Sequence, residues 1–474
     1  MLKRLILATF ACLTVACGSD INPAPKQTVM LASEPAQANV PANDDNCVAE
    51  ASWFPHSQTP FPDGNTFNGK TNCAFHRWSW QMFLWLTQPV DGKPRFLKMQ
   101  SPYDMLGIED RESMLPRLTK SAHPRSMDEY LQAGTEGILI DQNGKAVYYS
   151  QYVNDEFVNF IEGKHPDNKI NLTIPLNVQQ FPADKSFPVN AIELKASWKI
   201  LAPDEDTRNL YTMESSVFKL ANKNGKIVVD DKSSMKVLLG LVGFHIAGVV
   251  KGHPEMIWAT FEHQGNAPDV PADYDFSNPT TAVSKDNFTF YKANTPYSGC
   301  NINPANSPVL KLDQDKQTLT PVTQMCRRYA LGNDANQTTM SVPTNIKVVT
   351  DLNKSVASQF KDAGVWSKYA EVGAIWFKGP NRLKPGMAIA TDFEGDQQLL
   401  IGSLRLSNAS IETFTQTQST MYNCFRCHNT SQRFPDDTKL APLKPMNLNI
   451  SHAFMNIYFW SQTLQLQASA ASTH

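Results

Sequence analysis

The run Val237–Val250 constrains the fold more than any other stretch of this chain. It is strongly apolar and carries Gly240, Gly243 and Gly248, with Gly252 just beyond. Glycines in a strand mark bends or the close approach of another group. Lys251-Gly252-His253-Pro254 then turns the chain into a second apolar run, Met256–His263. Two such strands about a short turn predict an antiparallel hairpin. Paired around it, His245 falls nearly opposite Phe261, and His263 faces the empty side of Gly243. A slip of one residue exchanges His263 for Glu262, because side chains alternate faces with a period of two. His245, His263 and Glu262 are thereby expected to meet on one hairpin.

Other strands gather around it. Asn143-Gly144 stands between Ile138-Leu139-Ile140 and Ala146-Val147-Tyr148-Tyr149, and Asn224-Gly225 between Val217-Phe218-Lys219-Leu220 and Ile227-Val228-Val229. Asn-Gly between alternating apolar runs is a hairpin signal, since both residues tolerate positive φ. Ala191–Leu201, Val372–Phe377 and Gln398–Leu406 read as further strands, and 264–325 as long surface connections. Helical spacing appears between Asn72 and Pro89, where Phe75, Trp78, Met82, Phe83 and Leu86 recur and Trp80, Leu84 and Trp85 widen the apolar surface. That helix is expected to be buried, with His76 and Arg77 as its polar edge. Two more helices are expected near Leu352–Lys368 and over Asn449–Gln465. The expected fold is α+β: mainly antiparallel sheet with several helices, a β-rich body at 47–410, and a C-terminal segment at 411–474 packed on it.

That terminal segment holds the chemistry. Cys424-Phe425-Arg426-Cys427-His428 has the spacing of c-type haem attachment. One helical turn sets both sulfurs along one edge of a porphyrin and the imidazole beneath its metal. The rival readings are a redox disulfide and half of a zinc site. A structural zinc site takes four protein ligands, and no second Cys-x-x-Cys or His-x-x-x-His pair exists to complete one. One covalent haem c, with Cys424 and Cys427 as attachment points and His428 as proximal iron ligand, is therefore the expected cofactor. Only 46 residues follow His428, and Met446 comes 18 positions after it, a short spacing for a small electron carrier. Met446, Met455, His452 and His245 are the candidate distal ligands.

Attachment requires an oxidising compartment, and the N-terminus fits one. Met1-Leu2-Lys3-Arg4 is a positive start, and Leu5–Ala16 is an apolar run too short to span a bilayer. Leu13-Thr14-Val15-Ala16-Cys17 resembles the lipobox of bacterial lipoproteins, which implies acylation of Cys17 and a membrane anchor. Gly18 rather than aspartate follows, which by the same resemblance favours the outer membrane. Ordinary signal cleavage, releasing a free periplasmic protein, is the alternative. Residues 17–46, rich in Pro, Ala, Asn and Gln, read as a flexible tether. With Cys12 lost in the signal, Cys17 given to lipid and Cys424 and Cys427 to haem, Cys47, Cys73, Cys300 and Cys326 remain of the eight cysteines, an even number that admits three pairings. The local pairs Cys47–Cys73 and Cys300–Cys326 are expected, with buried free thiols as the competing reading. A net charge of −2 supplies no basic field for nucleic acid.

Asn72-Cys73-x-Phe75 with Trp80-Gln81-x-Phe83-Leu84-Trp85-Leu86-Thr87, Glu193-Leu194-Lys195-x-x-Trp198, Gly240–Ile246, Ile257–His263 and the terminal Cys-x-x-Cys-His together resemble a family of bacterial exported single-haem cytochrome c proteins. The resemblance covers most of the mature chain and implies haem and export without implying a substrate. Electron transfer with a periplasmic redox partner is the first functional expectation, although a carrier needs far fewer than the roughly 458 mature residues that cleavage before Cys17 implies. The alternative is a haem peroxidase or oxidase acting on peroxide or a small reductant, with His245 or His263 moving a proton, Glu262 assisting and Trp258 as electron relay. A gas-binding or sensory haem module is the third.

Overall fold

The computed structural model describes residues 47–60, 72–108, 113–116, 137–304, 309–332, 345–360, 364–377, 379, 381–388, 400–417, 424–435 and 437–471. The expected signal peptide, the lipidation site Cys17 and the tether lie outside the described residues.

One strand organises the rest. β7 runs unbroken from Lys226 to Val250, and its length lets it serve two sets of neighbours. Its first half pairs antiparallel with β6 (Thr212–Lys223), and its second half with β5 (Ile192–Ile200) on one edge and β8 (His253–His263) on the other. β5 continues into β4 (Tyr148–Val153) and β4 into β3 (Ser113–Pro116), which runs parallel to β6 and closes a ring back to β7. β11 (Tyr369–Phe377) and β12 (Leu400–Gly402) extend the sheet beyond β8. Ring closure pairs strand edges that would otherwise be open. Two short hairpins stand apart, β1 (Pro89–Val90) with β2 (Lys93–Pro94) and β9 (Lys311–Asp313) with β10 (Thr318–Thr320).

The fold is α+β, as expected, with an antiparallel sheet at its centre and seven helices among the described residues. Two strands read separately, Ile227–Val229 and Val237–Val250, are one strand. No Gly or Pro interrupts the intervening Asp230–Lys236, and the sheet absorbs Asp231-Lys232-Ser233 as a bulge between the pairs Lys219↔Asp230 and Phe218↔Ser234. Asn224 and Gly225 have φ of 55° and 79°, the positive values that a tight hairpin with this twist requires.

α1 (Asn72–Leu86) lies against one face of the sheet. Phe83 stacks on Phe261 at 4.6 Å between ring centroids, and Trp80 meets the same ring edge-on at 5.0 Å. A disulfide, Cys47–Cys73, ties the start of this helix to the preceding chain, as expected. Gly248 is where the helix comes closest, since a Cβ there would fall 2.6 Å from Trp78. His76, expected at a polar edge, is fully buried. Its Nδ1 bonds to Glu371 at 2.7 Å and its Nε2 to Asn345 at 2.8 Å, so the polar atoms are satisfied inside the core. Asn345 begins α5 (Asn345–Gln359), which starts earlier than its pattern indicated.

The short helices α2 (Pro102–Met105), α3 (Asp155–Ile161) and α4 (Pro175–Gln180) and the terminal pair α6 (Cys424–Cys427) and α7 (His452–Ala471) complete the set. The C-terminal segment is part of the body rather than a separate domain. Phe425, Met446, Met455 and Tyr458 share one core with Ala247, Val249, Trp258, Ile375 and Phe377 of the sheet, and the chain from Val40 to His474 forms one compact unit. No helix of the described residues is long and apolar enough to cross a membrane.

Cys300 and Cys326 correct the second expected disulfide. They take the competing reading, buried free thiols, and lie beside one another against Val283 and Tyr291. Burial and the neighbouring Cys300 thiol push the Cys326 thiol up.

Candidate functional site

Alternation along β7 sorts its side chains onto two faces. Phe244 and Ile246 point toward α1, whereas His245, Ala247 and Val249 point toward the C-terminal segment. Gly243 faces the same way as His245, and a Cβ there would come 2.1 Å from Ser410 Oγ. The segment leading to the cysteine motif thus lies directly on the backbone of β7.

α6 is a single turn. Residues three apart on a helix share a face, which sets Cys424 and Cys427 side by side. Both cysteines are half-buried, and no disulfide joins them. His428 continues the turn, its backbone N–H donating to Cys424 O at 2.8 Å. Phe425 points the other way into the core, 4.8 Å from Phe377 and 6.5 Å from Trp258 between ring centroids, which moors the turn to β8 and β11. Arg433 Nη2 donates to Cys427 O at 2.6 Å, holding the end of the turn.

The His428 ring is held on three sides. Its Nδ1 lies 2.9 Å from Ile450 O. A carbonyl only accepts, so Nδ1 carries the hydrogen and Nε2 keeps its lone pair. Trp258 covers one face at 3.8 Å and 33°, and His452 the other at 3.8 Å and 24°. Burial pushes the imidazole down to about 3, so it stays neutral.

Around this ring the sheet offers polar groups in place of the aromatic ones on its other face. Glu193 lies opposite Ala247, and Lys195 opposite His245. Lys195 Nζ pairs with Glu412 Oε1 at 2.9 Å. Glu193 accepts from Ser451 Oγ at the start of α7 and from the Ala453 N–H, and burial pushes it up to about 7. Asn456 on α7 donates to Gln151 Oε1 at 2.8 Å.

The expected site residues distribute unevenly. Cys424, Cys427 and His428 come together as expected. Met446 and Met455 are buried in the core that Phe425 enters. His452 stacks on the His428 imidazole, so it flanks that ring rather than facing the Nε2 edge. His245 is half-buried on the sheet face that also carries Trp258, across from Thr260. The group expected from His245, His263 and Glu262 does not assemble. The hairpin takes the slipped register, with Gly243 opposite Glu262 and Phe244 opposite Phe261, because Met256 adopts φ 67° and the pairing shifts between Gly248 and Val250. His263 falls on the opposite face from Glu262, accepting at Nδ1 from Gly265 N–H and donating from Nε2 to Asn209 O. Glu262 is engaged by Arg327 at 3.0 Å, Asn266 at 3.1 Å and Ala409 N–H at 3.0 Å.

Glu193, Lys195, Glu412 and the Ile450 carbonyl were not anticipated. Glu193-x-Lys195-x-Ser197 alternating with Leu194, Ala196 and Trp198 carried the available signal, since charges on a strand buried on both faces require partners. Among the described residues, no group of three or more His, Cys, Asp or Glu is arranged to hold a metal ion. No family model, curated protein or solved structure matches the chain.

Proposed function

We propose that Cys424 and Cys427 attach one haem c, that His428 ligates its iron, and that the protein is a monohaem cytochrome exchanging electrons with a periplasmic partner. In this reading Cys17 carries lipid and tethers the body to the bacterial membrane, most naturally the outer membrane. The observation that carries it is the His428 tautomer. With Nδ1 committed to Ile450 O, Nε2 is the nitrogen left to bind metal, and it stands at the end of a turn bearing two cysteines that no disulfide joins. Bound haem supplies a one-electron iron couple.

The chain's own groups do the rest. Cys424 and Cys427 would each hold the group through a thioether made by adding S–H across a vinyl, and Phe425 anchors the turn that presents them. The apolar core of Met446, Leu448 and Met455 excludes water on one side of α6, while the Lys195–Glu412 pair supplies balanced charge beside it. A second reading, a haem peroxidase or oxidase, is favoured by one feature: His245 and the raised Glu193 carboxyl stand on the sheet face that carries Trp258, where they can move a proton. A gas-binding module, the third reading, would need the bound iron to accept an outside ligand.

Two measurements decide. Haem staining after denaturing electrophoresis should be positive for the protein matured with haem and negative for Cys424→Ala/Cys427→Ala; stain that survives the double substitution sinks covalent attachment. Optical spectra with carbon monoxide and peroxide then separate the readings. A low-spin iron indifferent to both supports electron transfer, and ready ligation supports the oxidase or gas-binding readings.

A further inference from the structure

The imidazole of His428 is clamped more tightly than ligation by itself requires. An Nδ1–carbonyl bond fixes one atom of the ring and its tautomer, but leaves the ring plane able to rock about that bond. Here both faces are covered by flat rings at 3.8 Å. Each of those rings is itself restrained. Trp258 Nε1 donates to Glu255 O at 2.8 Å, and its backbone lies in β8 between Ala247 of β7 and Ile375 of β11. His452 opens α7, whose first turn is capped by Ser451 Oγ accepting from Phe454 N–H at 3.0 Å, and its Nε2 approaches Cys427 O at 3.4 Å.

Resting on the haem reading, we propose that Trp258 and His452 are positioning residues that lock the plane of the proximal imidazole, with the central sheet as the fixed reference. Trp258 contributes rigidity from the sheet, and His452 from the terminal helix. Neither touches the reacting metal; both act through His428. The indole also keeps water from one face of the ligand, and burial around an axial ligand is one of the levers that set a haem potential. The role assigned to Trp258 is therefore to hold the proximal ligand rather than to relay electrons on the distal side.

The experiment uses the full-length protein matured with haem, with Trp258→Leu, Trp258→Phe and His452→Leu, and reads ferric electron paramagnetic resonance and the reduction midpoint. Trp258→Leu and His452→Leu each remove one flat wall and should broaden the ferric signals. Trp258→Leu should also lower the ferrous-to-ferric ratio at fixed poise about tenfold, a 59 mV shift for one electron. Trp258→Phe keeps an aromatic face and should retain sharp signals. Wild-type line widths and midpoint in both leucine variants overturn the proposal, as does a Trp258→Phe protein as broad as Trp258→Leu, which would make bulk rather than a flat face the cause. If Trp258→Leu does not accumulate, His452→Leu and Trp258→Phe decide by the same criteria. Haem staining of each variant separates this inference from the reading beneath it: unstained wild-type protein fails the haem assignment, whereas stained variants with unchanged signals fail only the clamp.

Discussion

The two faces of the sheet are built on opposite principles. Toward α1, β7 and β8 present Phe244, Ile246, Ile257, Ala259 and Phe261, and the helix fills that surface with Trp78, Trp80 and Phe83. Toward the C-terminal segment the same strands present Gly243, His245, Thr260 and Glu262, and β5 adds Glu193, Lys195 and Ser197. The first face gains stability by burying rings. The second sets charges and hydroxyls, each costly to bury without a partner, beside the apolar patch of Ala247, Val249 and Trp258. Because one strand contributes to both, the aromatic face can hold the sheet rigid while the polar face is arranged around His428.

The comparison breaks most readily at Phe83. This ring stacks on Phe261 and meets Phe244 edge-on at 5.8 Å, with no exposure to solvent. Phe83→Ala is expected to cost about 3–5 kcal/mol in denaturant unfolding, the range for removing a buried aromatic ring. A cost below about 1 kcal/mol would mean that this face is not the stabilising one. The disulfide belongs to the same face. It closes a loop with a sequence separation of 26, so Cys47→Ser/Cys73→Ser should lower stability by about 2–4 kcal/mol. On the haem reading, staining of this variant should persist, because α6 packs on the other face.

The two faces also differ in how far residue pattern reveals them. Aromatic spacing located α1, and the Asn-Gly pair at 224–225 located its hairpin, because both signals are local. His76 was misplaced because its partners, Glu371 and Asn345, are 295 and 269 positions away. The β7–β8 register slipped because Met256 adopts a left-handed conformation that nothing about methionine announces. On the polar face, Cys424, Cys427 and His428 were legible through spacing that chemistry dictates. The acceptor of His428 was not, since any residue can supply a backbone carbonyl and Ile450 carries no mark of doing so. Trp258 reads as an electron relay in the oxidase alternative, but its contact with His428 depends on packing between strand and terminal segment, which no local pattern encodes.

A smaller effect tests whether the polar face carries an energetic cost. Glu193 is 7% exposed, and burial lifts its carboxyl from the usual 4.5 to about 7 against the pull of Ser451, the Ala453 N–H and Lys195. Between those values the folded protein holds a proton that the unfolded chain has released. Stability from this group therefore falls as pH rises from about 4.5 to 7 and levels off above, by up to roughly 3 kcal/mol for a shift of this size. Glu193→Gln keeps an acceptor for Ser451 Oγ but cannot ionise. Its stability curve should lack that decline, so the variant should gain on wild type at pH 8 and match it near pH 4. Parallel curves for the two proteins would place the carboxyl in an environment that already accommodates its charge, and the contrast between the faces would then lie in shape rather than in electrostatic cost.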